Sequence, residues 1–122
     1  MKRLKPLLLS SGVMVLIFTL VILGQCVAAE NEQVIQITAK RFEYSPKEIT
    51  LKKGVPAVFE FTSLDRLHGF NCPGLRLRTD IHPGKTNTLR FTPDKAGTFP
   101  FHCDNFCGSG HEGMRGTIIV TE

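Results

Sequence analysis

From Gln33 onward, apolar side chains recur at every second position. Ile35, Ile37 and Ala39 alternate with Gln36 and Thr38, the two-residue period of a strand with one face in a core. Ile49 and Leu51 repeat that period, and Ala57, Phe59 and Phe61 keep it against Val58, Glu60 and Thr62 in a strand that runs toward Asp65 and His68. Turn-forming residues separate these runs. Ser45-Pro46 follows Phe42 and Tyr44; Lys52-Lys53-Gly54 reads as a hairpin turn; Asn71-Cys72-Pro73-Gly74, His82-Pro83-Gly84 and Pro93-Asp94-Lys95-Ala96-Gly97 punctuate the rest. Further strands are predicted over Thr86 to Phe91, Thr98 to Cys103 and Gly116 to Thr121. That is about seven short strands with turns at sandwich spacing and no helical period, which predicts an all-β Greek-key β-sandwich.

The segment before this domain has a different character. Met1-Lys2-Arg3-Leu4-Lys5 is positively charged, and the 24 residues from Pro6 to Ala29 carry no charge. Val27-Ala28-Ala29 offers small residues where a signal peptidase reads, so residues 1–29 are expected to be a signal peptide cut before Glu30. The apolar run from Leu7 to Leu23 is 17 residues, between a signal core and a membrane span, which leaves an N-terminal anchor open. Leu23-Gly24-Gln25-Cys26 is a weaker lipoprotein reading, because Gln25 is large; otherwise Cys26 leaves with the leader. Each reading places residues 30–122, one domain, outside the cytoplasm, with membrane contact only if the leader is kept.

Charge excludes one class of partner. Of 15 basic residues, Lys2, Arg3 and Lys5 lie in the leader, so 12 oppose 11 acidic ones in the domain. No basic run is present, and aromatic residues fall at core-like strand positions, so a nucleic-acid partner is not expected.

The chemistry is concentrated near the end of the chain. Cys103, Cys107, His111 and Met114 follow one another at spacings of four, four and three, which on a helix would share a face. Gly108, Gly110, Gly113 and Gly116 lie within the stretch from Phe101 to Gly116 that holds them, and each interior glycine costs a helix about 1 kcal/mol. A tight loop that converges two sulfurs, an imidazole and a thioether is the better reading. Soft sulfur ligands beside imidazole suit copper; zinc gains little from a thioether. Copper sites of this kind use two imidazoles. His68, 35 residues before Cys103, is the candidate for the second.

The pattern Cys-x3-Cys-x3-His-x2-Met, with His68 upstream in Asp65-Arg66-Leu67-His68-Gly69-Phe70, resembles the binuclear CuA site of cytochrome c oxidase subunit II and nitrous-oxide reductase. The resemblance runs from about Gln33 to Val120 and implies a cupredoxin fold. It implies two copper ions bridged by Cys103 and Cys107, with His68 and His111 as terminal imidazoles, Met114 as a weak axial ligand and the main-chain carbonyl of Asn105 as the last donor. Oxidase subunits usually carry Glu where Asn105 stands; a main-chain ligand tolerates that change. The absence of Trp, which oxidase subunits commonly use near electron entry, and of a two-helix membrane hairpin counts against an ordinary oxidase subunit.

Several readings compete. Cys103 and Cys107 have the spacing of a plain disulfide, which an extracytoplasmic compartment favours. One copper on His68, one Cys, His111 and Met114 is a second alternative. Cys72 reads as a small buried hydrophobe, His102 should point away from the site, and His82 lies in a solvated turn. Arg115 is a surface charge or a brace. Phe70, Phe99, Phe101 and Phe106 are candidates for a dry wall around the metals. The expected function is electron transfer, without an enzymatic activity of its own, to or from a redox protein such as a c-type cytochrome or an oxidase. The alternative is copper handling, with a copper donor or acceptor as partner.

Overall fold

The computed structural model describes residues 31–122. The expectations for residues 1–29, Cys26 included, lie outside them. Among the described residues no helix is long and apolar enough to cross a membrane.

Among the described residues, nine strands form two sheets. One holds β1 (Gln33–Lys40), β2 (Glu43–Ser45), β4 (Ala57–Ser63) and β7 (Asn87–Phe91) in the order β2-β1-β4-β7. The other holds β3 (Glu48–Lys52), β5 (His68–Cys72), β6 (Leu77–Ile81), β8 (Gly97–His102) and β9 (Arg115–Thr121) in the order β3-β9-β8-β5-β6. The alternating positions do what their period demands: Ile37, Ala39, Phe59 and Phe61 are buried from one sheet, and Ile49, Leu51, Phe70, Phe101, Ile118 and Val120 from the other. Between the sheets the rings form a continuous file. Phe59 meets Phe61 and Phe70 edge to face at 5.9 and 6.0 Å, Phe70 lies 4.9 Å from Phe101, and Tyr44 closes edge to face on Phe101 at 5.0 Å. Each buried ring contributes roughly 1.5–3 kcal/mol by leaving water, so this file is a large part of what holds the sheets together.

Three sequence expectations change. The hairpin β5–β6, joined by the 3-10 turn Pro73–Leu75, was not foreseen as a pair of strands; in β6 only Leu77 and Ile81 are buried, and Arg78 is exposed, so no clean alternation marks it. The Lys52-Lys53-Gly54 turn joins β3 to β4, which belong to different sheets, and therefore carries the chain between layers instead of closing a hairpin. The strand toward His68 ends at Ser63, and His68 opens the next one.

Strand register brings the site together. His102 at the end of β8 pairs with Arg115 at the start of β9 and with Asn71 of β5. Because β5 and β8 are antiparallel, continuing past His102 runs back along β5 toward His68. The loop from Cys103 to Met114 therefore folds over the end of the sandwich where β5 begins.

Candidate metal centre

His68 is fully buried. Its Nε2 lies 2.6 Å from Asp65 Oδ1, and its Nδ1 is buried without a partner. A carboxylate can only accept, so Nε2 is the donor, and in the neutral imidazole Nδ1 keeps the lone pair. A buried nitrogen lone pair without a donor is an unmet cost, and a bound cation would meet it. A ring nitrogen of His68 and the sulfurs of Cys103 and Cys107 all lie within 4.8 Å of one another.

The two sulfurs are 4.0 Å apart and the cysteines are free, not joined as a disulfide. Cys103 Sγ is 3.1 Å from the Asn105 carbonyl and accepts the Gly69 N–H at 3.4 Å. Cys107 Sγ lies 3.6 Å from His111 Nδ1 and 3.8 Å from Met114 Sδ. All six sequence-predicted positions thus meet at one end of the sandwich. Burial, then the neighbouring Cys103, pushes the Cys107 thiol up to about 11. Cations that displace this proton recover that cost.

The surroundings fix these donors. Asp65 accepts the backbone N–H groups of Arg41 and Arg66 at 2.8 and 2.7 Å. Arg41 also reaches the other side of the site, where its Nε donates to the Cys107 carbonyl at 2.9 Å, joined there by Arg66 Nη1 at 3.4 Å. Tyr44 is buried beneath the site and donates its hydroxyl to the Gly69 carbonyl at 2.5 Å, which steadies the residue whose N–H faces Cys103. Burial first, then Cys103, raises the Tyr44 pKa above its ordinary value. Gly110 rests on the Phe42 ring; a Cβ there would stand 2.4 Å from a ring carbon. The sequence reading missed Asp65, Arg41 and Tyr44 in these roles. Asp65 had a usable signal, a carboxylate three residues from a candidate ligand.

Of the predicted wall, Phe70 and Phe101 are buried and Phe99 is partly so, whereas Phe106 is 75% exposed. The Phe106 ring lies 5.6 Å from the His111 ring centroid. His102 is exposed, and Cys72 is a buried thiol in the core. Arg115 is exposed and braces the loop, its Nε donating to the Glu112 carbonyl at 2.8 Å.

A family model described as a cupredoxin-like domain matches residues 13–120. The chain belongs to the cupredoxin family. It is 36% identical over 92 residues to cytochrome c oxidase subunit 2 of Thermus thermophilus, which covers 75% of this chain and 68% of that protein. A second such relative from the same species is covered over 55% of its length. Nitrous-oxide reductase of Pseudomonas fluorescens is 30% identical over 94 residues, 74% of this chain but 15% of the enzyme. Among solved structures, the periplasmic domain of subunit II of cytochrome oxidase from Bradyrhizobium japonicum superposes with a TM-score of 0.69 at 22% identity, over 79% of this cupredoxin and 88% of that domain, a likeness of fold.

Proposed function

We propose that this cupredoxin is an extracytoplasmic electron-transfer domain with a binuclear CuA-type copper centre on His68, Cys103, Asn105, Cys107, His111 and Met114. The observation that carries the proposal is the way the imidazoles meet the sulfurs. His68 clusters with both, while His111 stands outside that cluster and approaches Cys107. A single copper needs both imidazoles around one point; two coppers need one at each. When bound, copper supplies a one-electron couple shared across the two thiolates.

The residues suit that task. His68, Cys103, Cys107 and Met114 are buried, and Asp65, Arg41 and Tyr44 hold the donors from behind, so little has to move when an electron arrives. Exposed Phe106 beside His111, with exposed Leu64 and Leu67 on the loop before His68, gives this end an apolar rim. On that rim a redox protein such as a c-type cytochrome or an oxidase would dock. The basic start of the leader and its uncharged stretch from Pro6 to Ala29 support an extracytoplasmic location.

Copper handling is the second reading. It is favoured by an opening of about 110 Å³ lined by His102, Cys103, His111, Glu112 and Arg115, which lets solvent approach the donors. One experiment separates the readings. Copper stoichiometry and electron paramagnetic resonance are measured on residues 30–122 loaded under reducing conditions, followed by challenge with a copper chelator. Two coppers per chain, a signal split by both nuclei and slow loss to the chelator support electron transfer. One copper overturns the binuclear centre, and fast loss moves the protein to copper handling.

A further inference from the structure

The donor contributed by Asn105 is its main-chain carbonyl, so its side chain is free for another task. It is not idle. Asn105 Nδ2 donates to Asp80 Oδ1 at 2.8 Å and reaches the His68 carbonyl at 3.5 Å. Asp80 stands on β6 opposite Gly69 of β5, and its carboxylate also receives Arg78 Nη1 at 2.8 Å. Arg78 in turn forks onto Asp104, with Nε to Oδ2 at 2.8 Å and Nη2 to Oδ1 at 3.0 Å. Asp104 lies flat over β5, where a Cβ at position 69 would stand 2.0 Å from its Oδ1. Two consecutive loop residues, Asp104 and Asn105, are therefore fastened to β6 between the two cysteines.

We propose that Asp80 is a positioning residue for the metal centre: it orients the Asn105 carbonyl toward Cys103 and requires an amide, not a carboxylate, at position 105. This rests on the reading that the Asn105 carbonyl is a copper ligand. Asp80 Oδ1 already accepts from Arg78 and, being ionised, can only accept. A carboxylate at 105 would set two anions at hydrogen-bond distance without a proton between them, a like-charge contact that drives the side chains apart. The main chain of residue 105 would turn with its side chain, and the carbonyl with it. Charge pairs as exposed as Arg78 and Asp80 add little to global stability. The effect of Asp80 therefore belongs to the geometry of the site, and the test reads the site.

The test is an exchange of the two groups. Wild type, Asp80→Ala, Asn105→Asp and the double variant Asp80→Asn with Asn105→Asp are loaded with copper. Stoichiometry, hyperfine splitting, reduction potential and affinity by chelator competition are then read. Asn105→Asp is expected to weaken copper binding about 10-fold, the lower end of what outer-sphere partners contribute, and to shift the potential and the splitting. Asp80→Ala should shift both while two coppers stay bound. The double variant restores the hydrogen bond with donor and acceptor reversed, and should return affinity, potential and splitting to near wild type. Should Asn105→Asp fail to fold, recovery of folding in the double variant supports the pair equally, and its failure overturns it. Singles that read as wild type, or a double no better than Asn105→Asp, also overturn the role of Asp80. A wild type that takes up no second copper sinks the ligand reading instead, and the two failures are distinct.

Discussion

Asp65 holds His68 by one ring nitrogen and leaves the other free: Oδ1 lies 2.6 Å from Nε2, and Nδ1 is left buried and unpaired. The carboxylate is itself held by the backbone N–H groups of Arg41 and Arg66, so it fixes both the tautomer and the angle of the ring. Partial burial works against its charge, but the hydrogen bonds from Arg41, His68 and Arg66 outweigh it and hold its pKa at about 2. Partners of metal-binding histidines typically contribute about 10- to 100-fold in affinity. Asp65→Ala is expected to lose copper affinity in that range, while Asp65→Asn, whose carbonyl still accepts from Nε2, loses less. Chelator competition measures both, and equal losses would show that acceptor geometry plays no part.

Cys107 is the sulfur that joins the other side-chain donors of the loop, with Cys103, His111 and Met114 all within 4.0 Å. Serine preserves the shape but offers a hard oxygen that stays protonated. Cys107→Ser is expected to reduce the copper count to one or none, with loss of the shared-electron signal. An unchanged count and signal would show that Cys107 is not required for a two-copper centre.

Met114 is fully buried with its Sδ 3.8 Å from Cys107 Sγ. Leucine matches its volume, and such exchanges cost less than about 1.5 kcal/mol, so Met114→Leu should fold. A weak axial thioether tunes the potential of a copper centre more than it holds the metal. The potential should shift by roughly 60 mV, a tenfold change in a one-electron equilibrium, with copper retained. Voltammetry reads this directly; metal loss would mean that the thioether builds the site.

Much of this was legible in the sequence because both signals are local. Period-two alternation marks β1, β3 and β4, and the spacing of Cys103, Cys107, His111 and Met114 sits within one loop. What was not legible depends on long-range register. Asp80 lies 25 residues from Asn105, and Arg41 lies 66 from Cys107; no spacing rule links them. β6 was overlooked because only Leu77 and Ile81 of its five residues are buried. Phe106 was misplaced for a different reason. A position in a loop says nothing of the direction in which its ring points, and here the ring faces solvent.

Two glycines of the loop should respond differently to alanine. At Gly110 an added Cβ meets two Phe42 ring carbons at 2.4 and 2.5 Å, whereas at Gly113 nothing lies within 4 Å. Overpacking of this kind costs about 1–3 kcal/mol, or about 4–8 °C in Tm per kcal/mol for a domain of this size. Gly110→Ala should lower the thermal midpoint of the copper-free protein by several degrees and Gly113→Ala should not. Equal midpoints would show that the loop does not rest on Phe42.

Copper-free protein should lose stability in alkali, and the sign follows from three groups that fold with raised pKa values. Cys72 is raised by burial; Cys107 goes from 9.0 to about 11 by burial and the adjacent Cys103; Tyr44 is raised from 10.0 by burial and Cys103. Each binds its proton more tightly folded than unfolded, so its contribution is complete below the unfolded pKa and disappears as pH rises through the folded one. For the thiols the decline begins near pH 9.0 and continues to about 11 at Cys107; Tyr44 adds to it above pH 10.0. Urea unfolding across this range should show a falling midpoint. Tyr44→Phe removes one titrating group along with the bond to the Gly69 carbonyl, so it should begin less stable and decline less steeply. A midpoint flat through pH 11 would mean that these side chains reach solvent in the folded chain. Copper should abolish the part of the slope due to Cys107, because the thiolate is then already formed.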